Sequence, residues 1–505
     1  HDGLTTDGTN IWFTEEFGNT LNEAMPSNTN PPPSPTPQSQ NAPVSKQWYF
    51  AEGRAGKGFT EYLTIGNPTS TACQVNIEYL YTPDGLSSQV KTISALIQSN
   101  TRHTDNVDQD LGTSPGGIGI DVSTIVTVDN NTTPNCAGVV AERPMYFTNV
   151  FGVSSGHDAL GATHLGTNFY FADVSSLPGY RSFITILNPP GGSTANVVVT
   201  YYLNGKVQGT DTLPVPAGTR GTITPHNFGE RVAAAVSSSQ PVAVERPTYY
   251  YNYNAGNAST VSGAGVVAGA AALSNDWLFA EGYTGGQFQE YFVIANIDTV
   301  ANTAANVTIT LEFPNTTTKQ AQFVVGPLSQ TVWNVNTLAP NTDVSAEITS
   351  TSAKIVVERE MFYRYNHVAN GRTLTAVGGS DVMGEPGPAA ATAYSFAEGY
   401  TNTNYDEWLT VQNPTNAAET LTVQVVNGNG KTYTFTMQVG QHSRGTVDMV
   451  YIVQHNMCVQ GAPAPCWEIS MSIQANGAVF VAERPMYFNA SGSQGGTDVL
   501  GYIGN

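Results

Sequence analysis

The chain has 505 residues, of which 11% are charged and 40% are hydrophobic, and its formal net charge at pH 7 is −20. Such an acidic surface argues against nucleic acid as a partner, because that contact needs clustered Lys and Arg. Fifty Gly and 29 Pro favour turn-rich β-structure with packed cores over helices or disorder.

Two further features bear on the location of the protein. No apolar run reaches the roughly 18 residues of a membrane span, so we expect no transmembrane segment. The sequence starts at His1 without an initiator Met, which we interpret as a mature secreted chain whose leader was removed. The predicted location is therefore extracellular or at the cell surface.

The first segment, residues 1–24, resembles a stretch from the interior of the chain. "HDGLTTDGTNIWF" at the start aligns with "HDALGATHLGTNFYF" from His157 onward, which there joins two larger units. We therefore predict an orphan first strand that lacks its own sandwich and adds to a sheet elsewhere. The side chains expected to fill pockets on that sheet are Ile11, Trp12, Phe13 and Phe17.

A Pro-rich linker, residues 25–46, follows this segment. Its first part reads "MPSNTNPPPSPTPQSQNAP", a composition that cannot pack a core. Such a chain extends at about 3.1 Å per residue. We expect it to act as a tether.

Four copies of one unit make up the rest of the chain, at 47–164, 165–273, 274–389 and 390–505. Each copy begins with "FAEG" or "FADV", has an Asn seventeen residues after that Phe, and ends near "AERP" or a variant of it. The recurring Asn are Asn67, Asn188, Asn296 and Asn413. Alternating runs between turn signals predict about seven strands per copy, which is typical of an antiparallel immunoglobulin-like sandwich.

These motifs resemble the "FAEG…NP…AERP" modules that occur in tandem in large bacterial secreted and cell-surface proteins. The resemblance covers residues 48–505 and, weakly, 1–17. It implies an extracellular array of β-sandwiches, and it implies no activity. The predicted fold is thus all-β, with four tandem immunoglobulin-like sandwiches preceded by an extended N-terminal strand and a Pro-rich linker.

Charged residues recur at two places in every repeat, an acid in the first strand and Glu-Arg in the last. Apolar residues flank both faces of the Glu-Arg strand, so one charge must be enclosed and needs a partner. We predict the first-strand acid as that partner, held by the guanidinium fork. The predicted structural ion pairs are Glu52 with Arg143, Asp173 with Arg246, Glu281 with Arg359 and Glu398 with Arg484. Because the set occurs four times, a structural role is favoured over the paired carboxylates of a glycosidase.

The four cysteines fall two by two within repeats 1 and 4. This arrangement predicts two local disulfides, Cys73–Cys136 and Cys458–Cys466. The alternative is four free, buried thiols. Neither pair has C-x-x-C spacing, which argues against a metal knuckle.

Signals for a metal or a catalytic centre are weak. Asp105, Asp108 and Asp110 are spaced loosely like a calcium loop but lack the ligand order of an EF-hand, so calcium and a solvated turn are both open. His1 resembles the copper-binding first residue of some polysaccharide oxidases, yet its alignment with the internal His157 favours repeat ancestry. Neither a nucleophile elbow nor a zinc helix nor a phosphate loop occurs. We predict no enzyme and no bound cofactor.

Possible sites of surface glycans are six Asn in N-x-Ser/Thr sequons. They are Asn130, Asn131, Asn257, Asn306, Asn315 and Asn489. The Ser and Thr of the Pro-rich linker are equally plausible O-glycan carriers.

These features predict a structural subunit of an extracellular filament or surface layer. Residues 1–20 of one copy would dock at the unoccupied joint after repeat 4 of the next, and such a heterologous interface gives a filament. The alternative interpretation is that residues 1–46 are a degenerate remnant of a repeat and are disordered on a monomer. The alternative function is a cell-surface adhesin or glycan-binding repeat protein. Its candidate site is an aromatic cluster, Tyr249, Tyr250, Tyr251 and Tyr253.

Overall fold

Antiparallel strands make up most of the regular structure, which confirms the all-β prediction. The computed structural model describes residues 4–6, 10–14, 21–26, 42–175, 177–256, 260–369, 371–459 and 461–504, and up to residue 26 it describes the backbone alone. In that N-terminal part β1 (Leu4–Thr6), β2 (Asn10–Thr14) and β3 (Leu21–Pro26) form one sheet with β2 in the centre. The structure thus differs from the single extended strand that we expected, and β3 reaches into the predicted linker.

Four units follow, named units 1 to 4 in chain order, and each has two antiparallel sheets that face each other across an apolar core. Unit 1 contains β4 (Gln47–Phe50), β5 (Arg54–Ala55), β6 (Phe59–Asn67), β7 (Cys73–Pro83), β8 (Gln89–Ile97), β9 (Thr101–Asn106), β10 (Ile120–Val128), β11 (Val140–Glu142), β12 (Met145–Val150) and β13 (Val153–His157). Unit 2 contains β14 (Gly166–Phe171), β15 (Tyr180–Ser182), β16 (Ile184–Asn188), β17 (Ala195–Leu203), β18 (Lys206–Val215), β19 (Thr219–Ile223), β20 (Ala233–Asn254) and β21 (Thr260–Ala268).

The second half of the chain repeats this plan. Unit 3 contains β22 (Asp276–Phe279), β23 (Phe288–Asn296), β24 (Ala305–Glu312), β25 (Thr318–Val325), β26 (Ser329–Asn334), β27 (Ser345–Ser350), β28 (Val356–Ala369), β29 (Arg372–Met383) and β30 (Glu385–Pro386). Unit 4 contains β31 (Ala393–Phe396), β32 (Tyr405–Asn413), β33 (Glu419–Asn427), β34 (Thr432–Val439), β35 (Ser443–Asp448), β36 (Ile469–Ala475), β37 (Val481–Ala490) and β38 (Ser493–Leu500). The helical segments are α1 (Val107–Asp110), α2 (Met449–Asn456), α3 (Ala464–Trp467) and two 3-10 turns, Val335–Thr337 and Gly387–Ala389.

The two sheets of a unit have different neighbours. In unit 4 the outer sheet has the order β31-β36-β33-β34 and the inner sheet has the order β35-β32-β37-β38. Units 1 and 3 follow the same plan with short additional strands, whereas in unit 2 the 22-residue strand β20 runs through both sheets. Alternation sets the faces, since Val75, Ile77 and Tyr79 of β7 are buried and the residues between them are half-exposed.

The Asn that recurs in every repeat closes a turn inside the core. Asn67 is buried at the end of β6, and its amide donates to the carbonyls of Thr71 at 2.8 Å and Ile97 at 3.1 Å. The same two kinds of contact are made by Asn188, Asn296 and Asn413. A buried amide with these partners fixes the strand end and the neighbouring strand together, which gives the motif a structural reason.

The last strands of the four inner sheets lie against one another around a common centre. β13 contacts β21 and β38, and β29 contacts the same two strands. The four units therefore form a closed ring in which unit 4 lies against unit 1. This differs from the open tandem array that the sequence implies, in which only consecutive units would touch.

Small residues permit the close approach of these strands at the centre of the ring. A Cβ added at Gly378 of unit 3 would lie 3.0 Å from the Cα of Gly495 in unit 4. A Cβ added at Gly265 of unit 2 would lie 3.0 Å from the Cβ of Asp381 in unit 3. Backbone packs directly on backbone here, so the centre has little room for larger side chains.

We expect Gly378→Val to lower the free energy of unfolding by about 1–3 kcal/mol, the usual cost of overpacking a dense interior. The new side chain has to displace the backbone of unit 4, because Gly495 Cα is its nearest neighbour. Denaturant unfolding measures the loss. Gly116→Val is the matched control, since a Cβ there meets no atom within 4 Å, and equal losses in the two variants would contradict the packed centre.

Candidate functional site: the four buried junctions

Each junction between units contains one buried arginine and one buried glutamate. The arginine comes from the Glu-Arg pair of one unit, and its guanidinium reaches the glutamate of the next unit. The Nη2–carboxylate distances are 3.3 Å for Arg143–Glu245, 2.7 Å for Arg246–Glu358, 2.7 Å for Arg359–Glu483 and 2.8 Å for Arg484–Glu142. All four arginines are fully buried, so these pairs are inside the protein and are not surface salt bridges.

The fourth of these pairs closes the ring. Arg484 belongs to unit 4 and Glu142 to unit 1, 342 residues earlier in the chain. The contact has the same composition and spacing as those between consecutive units. A heterologous interface that returns to its starting unit gives a closed ring instead of an open filament.

The junction glutamate also binds the backbone of the neighbouring unit. Its second carboxylate oxygen accepts the N–H of the Ala in the "FAEG" or "FADV" motif. The N···O distances are 2.7 Å for Ala172 to Glu358, 2.7 Å for Ala280 to Glu483 and 2.6 Å for Ala397 to Glu142. At junction 1–2 the N–H of Glu52 donates to Glu245 at 2.9 Å. These bonds compensate a buried charge that would otherwise be costly.

A second carboxyl group joins the arginine at three junctions. The pairs are Arg246–Asp381, Arg359–Asp498 and Arg484–Asp158. Burial, with the neighbouring Glu483 as a further cause, raises the pKa of Asp498 well above its ordinary value. Junction 1–2 lacks the Asp, because Val266 stands opposite Pro247 where Asp498 stands opposite Pro485.

The acids of the first strands pair with arginines that the sequence analysis did not single out. These pairs are Glu52–Arg220 at 3.3 Å, Glu281–Arg444 at 3.1 Å, Glu398–Arg102 at 2.8 Å, and Asp173–Arg231. All eight charged residues that we predicted thus take part in ion pairs, but their partners differ from the predicted ones. The reason is that each Glu-Arg arginine leaves its own unit for the next, so the first-strand acid needs another cation.

The sequence contained a signal for three of these cations. Arg102, Arg220 and Arg444 each stand in the pattern Ser/Thr-Arg-x-Thr, in the strand that pairs with β6, β16 or β32. A search for recurring basic residues would have found this pattern. The pattern does not identify the acid that each arginine binds, because three of the four pairs cross a junction between units.

Junction 2–3 replaces this arginine by another one. The equivalent position of unit 3, opposite Ala295, is Gln330. Arg231 of unit 2 binds Asp173 and also Glu360 of unit 3, the latter at 2.8 Å. The junction thus keeps the same number of charges, with a cation from the loop before β20.

Three further glutamates are buried beside the junction arginines, at one equivalent strand position. They are Glu61, Glu290 and Glu407, each opposite a Met of the Glu-Arg strand, and unit 2 has Ser182 there. Burial raises the pKa of each to about 8. Both carboxylate oxygens of Glu61 and of Glu407 lack a hydrogen-bond partner in the described chain. A neutral, protonated carboxyl is the form that tolerates this environment.

Both predicted disulfides are present. Cys73 and Cys136 are bonded with a Cα–Cα distance of 5.1 Å, and Cys458 and Cys466 with a distance of 5.8 Å. The first bond links β7 to the loop before β11, and the second closes the loop between α2 and α3. Each therefore stabilises one unit and neither joins two units.

The acids of the candidate calcium loop turn to different partners. Asp108 is buried and accepts the backbone N–H groups of Gly56 at 2.8 Å and Glu61 at 2.9 Å. Asp110 accepts from the Tyr79 hydroxyl, and Asp105 contacts His103. In the residues that the structure describes, no three His, Cys, Asp or Glu side chains are grouped so as to hold a metal ion.

The other candidate residues have mixed outcomes. The backbone of Ile11, Trp12 and Phe13 lies in β2, paired on both sides, whereas Phe17 and His1 lie outside the described residues. Of the tyrosine cluster, Tyr249 and Tyr250 are buried, Tyr253 is half-buried and Tyr251 is exposed. The exposed sequon residues are Asn130, Asn131, Asn306, Asn315 and Asn489, and Asn257 lies outside the described part.

No protein-family model and no curated protein sequence matches the chain. A solved Thermotoga maritima protein, designated 1070, is 14% identical and covers 23% of this chain and 98% of its own, with a TM-score of 0.19. A Bacteroides uniformis beta-glucuronidase 2 is 13% identical over 43% of this chain and 26% of its own, with a TM-score of 0.11. A tetra-tandem repeat from the extending region of a large adhesion protein is 11% identical over 86% and 94%, with a TM-score of 0.10. These scores are too low to support a shared fold or function.

The helices of the described chain are short. None is both long enough and apolar enough to cross a membrane.

Proposed function

We propose that this chain is a non-enzymatic structural subunit of an extracellular filament or surface layer, in which the four immunoglobulin-like units act as one rigid ring. The observation that carries the proposal is the closure of the ring by four buried junctions of one type. Because buried ion pairs hold the units at fixed angles, the ring behaves as a single body and not as flexible links. The N-terminal segment then connects one ring to the next.

The connection has to differ from the one expected from the sequence. That hypothesis used a free joint after repeat 4, but Tyr502 of this joint pairs with Ser395 of its own unit. The Tyr502 ring also lies 4.7 Å from that of Trp48 in unit 1. The joint is therefore occupied within the molecule.

Edge strands offer the proposed place of contact. In the described chain β8, β18, β25 and β34 end the outer sheets, and β1 and β3 end the N-terminal sheet. An edge strand has unpaired main-chain groups and is a template for strand addition. In this proposal the N-terminal sheet of one copy adds through its edge to an outer sheet of the next copy.

Electron microscopy of the full chain and of a variant lacking residues 1–24 tests this proposal. We expect connected rings from the full chain and single rings from the variant, with the same melting temperature. Single rings in both samples, or filaments that persist without residues 1–24, would refute the role of this segment.

A surface-binding protein is the second candidate, and one observation favours it. Two large aromatic side chains near junction 1–2 are about half exposed, Phe151 at 49% and Tyr251 at 47%. Exposed aromatic residues are common in binding sites and are costly elsewhere on a surface.

A further inference from the structure

An open cleft of about 440 Å³ lies at junction 1–2. Its walls are the hairpin β12–β13 of unit 1, which contributes Phe151, and, from unit 2, strand β15 with the residue after it and the loop after β19. Strand β15 and the residue after it contribute Arg181 and Phe183, and the loop after β19 contributes Thr224 and Asn227. None of the described residues that line the cleft is an acid, although the chain has 39 acidic and 19 basic residues. The local charge is thus opposite to that of the protein as a whole.

Phe151 has an unusual backbone conformation at the tip of its hairpin. Its φ is 51°, in the left-handed region that bulky residues rarely adopt, and Ser491 has the corresponding place in unit 4 with φ 55°. The Phe151 ring stacks on Phe183 with centroids 5.9 Å apart. A strained, half-exposed aromatic residue is the kind of outlier that occurs at ligand sites.

Arg181 is the cation of the cleft, and its guanidinium has no hydrogen-bond or ion-pair partner among the residues that the structure describes. Its guanidinium lies 4.5 Å from the centre of the Phe151 ring, and the side chain is exposed. Every other arginine in the described chain forms an ion pair or a hydrogen bond, and Arg181 forms neither with any described residue. Stacking on a ring orients the guanidinium and leaves its N–H donors available.

The equivalent place at junction 3–4 is closed. Asp406 stands opposite Tyr487 as Arg181 stands opposite Tyr249. Asp406 binds Arg372 and contacts His367 at 3.0 Å, both from the hairpin of unit 3. At junction 3–4 the residue at this position thus links two units through an ion pair. The Arg181 side chain forms no such pair with any described residue.

We propose that this cleft binds an acidic sugar, a uronate residue of a polysaccharide. Arg181 binds its carboxylate through two N–H groups, the geometry for which a guanidinium is suited. The apolar C–H face of the sugar packs against the Phe151–Phe183 pair, while the Thr224 hydroxyl and the Asn227 amide meet its hydroxyl groups. The volume lies within the usual range of small-ligand sites. This site is independent of the assembly through residues 1–24.

Calorimetric titration of the full chain with uronate oligomers tests the assignment, using oligogalacturonate, alginate and hyaluronan fragments. At least one should bind, and neutral cello-oligosaccharides of the same length should bind more weakly. Arg181→Ala is expected to weaken binding about 10- to 100-fold, the loss of a charged hydrogen-bond pair, and Phe151→Ala should weaken it as well.

The matched control is Arg364→Ala, since Arg364 is also exposed and its guanidinium donates to the Thr260 carbonyl at 2.8 Å. This variant should bind like the unmodified chain. Absence of binding to all three acidic probes, equal binding of the neutral oligomers, or unchanged affinity of Arg181→Ala would each overturn the assignment. None of these outcomes depends on whether the rings assemble.

Discussion

Arg484→Met is expected to lower the free energy of unfolding by about 3–5 kcal/mol. Removing one partner of a buried ion pair leaves the other charge buried without compensation. Arg484 is fully buried and binds Glu142 and Asp158 of unit 1. The loss should equal that of Arg359→Met at junction 3–4, where the contacts are of the same kind. In an open array Arg484 would lie at a free end in solvent, where an ion pair contributes below about 1 kcal/mol.

Denaturant unfolding of both variants measures these losses. Arg364→Met is the control, since Arg364 is exposed and its replacement should change stability by less than about 0.5 kcal/mol. A loss for Arg484→Met no larger than that of the control would show that unit 4 does not contact unit 1.

The second large effect is a loss of stability as the pH rises. Burial raises the pKa of Glu61, Glu290 and Glu407 from 4.5 to about 8. Between these values the folded chain holds protons that the unfolded chain has lost, so the free energy of unfolding falls as pH increases. The contribution is fully present below about pH 4.5 and is lost above about pH 8, and for each group it is at most about 5 kcal/mol.

Melting temperatures at pH 5 and pH 8.5 test this linkage. The unmodified chain should melt lower at pH 8.5, and the triple variant Glu61→Gln, Glu290→Gln, Glu407→Gln should lose part of that difference. Part of it should remain, because burial also raises the pKa of Glu385 to about 8. Gln has the shape of the protonated acid and carries no charge. The control removes three more accessible carboxylates, by Glu78→Gln, Glu230→Gln and Glu419→Gln, and should keep the difference. An equal pH dependence in both triple variants would contradict the assignment.

Several elements of the fold follow from the sequence alone. The Asn at a fixed distance from "FAEG" marks a strand end because its side chain completes a buried turn, and Asn67 does this in unit 1. The cysteine pairs were predictable because both partners lie in one repeat. Local patterns of this kind depend on neighbours within the unit, which a repeat makes visible.

The partners across the junctions could not be derived in that way. Alternation shows that Arg143 needs a partner, but it does not show whether Glu52 of its own unit or Glu245 of the next provides it. That choice depends on the rotation between units, which is a property of the whole interface. For the same reason the sequence does not show that the ring is closed. The motifs that contain Arg484 and Glu142 read the same in a ring and in an open array.

Junction 1–2 departs most from the symmetry of the ring. It lacks the second carboxylate, its Arg143–Glu245 distance is 3.3 Å, and the proposed sugar cleft lies at its edge. The other three junctions keep the second carboxylate, although junction 2–3 has a substitute arginine and Ser182 in place of the buried glutamate. Junction 1–2 bears the exposed aromatic and basic side chains. In this proposal, three junctions hold the ring together and junction 1–2 binds the ligand.

The central claim is that units 1 and 4 touch, and an engineered disulfide tests it most directly. A Cβ added at Gly66 of unit 1 would lie 3.6 Å from the Cβ of Ala397 in unit 4, within the range for a disulfide. The variant Gly66→Cys, Ala397→Cys should therefore oxidise within one molecule, giving a monomer that migrates faster on a non-reducing gel. Two free thiols, or disulfides formed only between molecules, would contradict the ring.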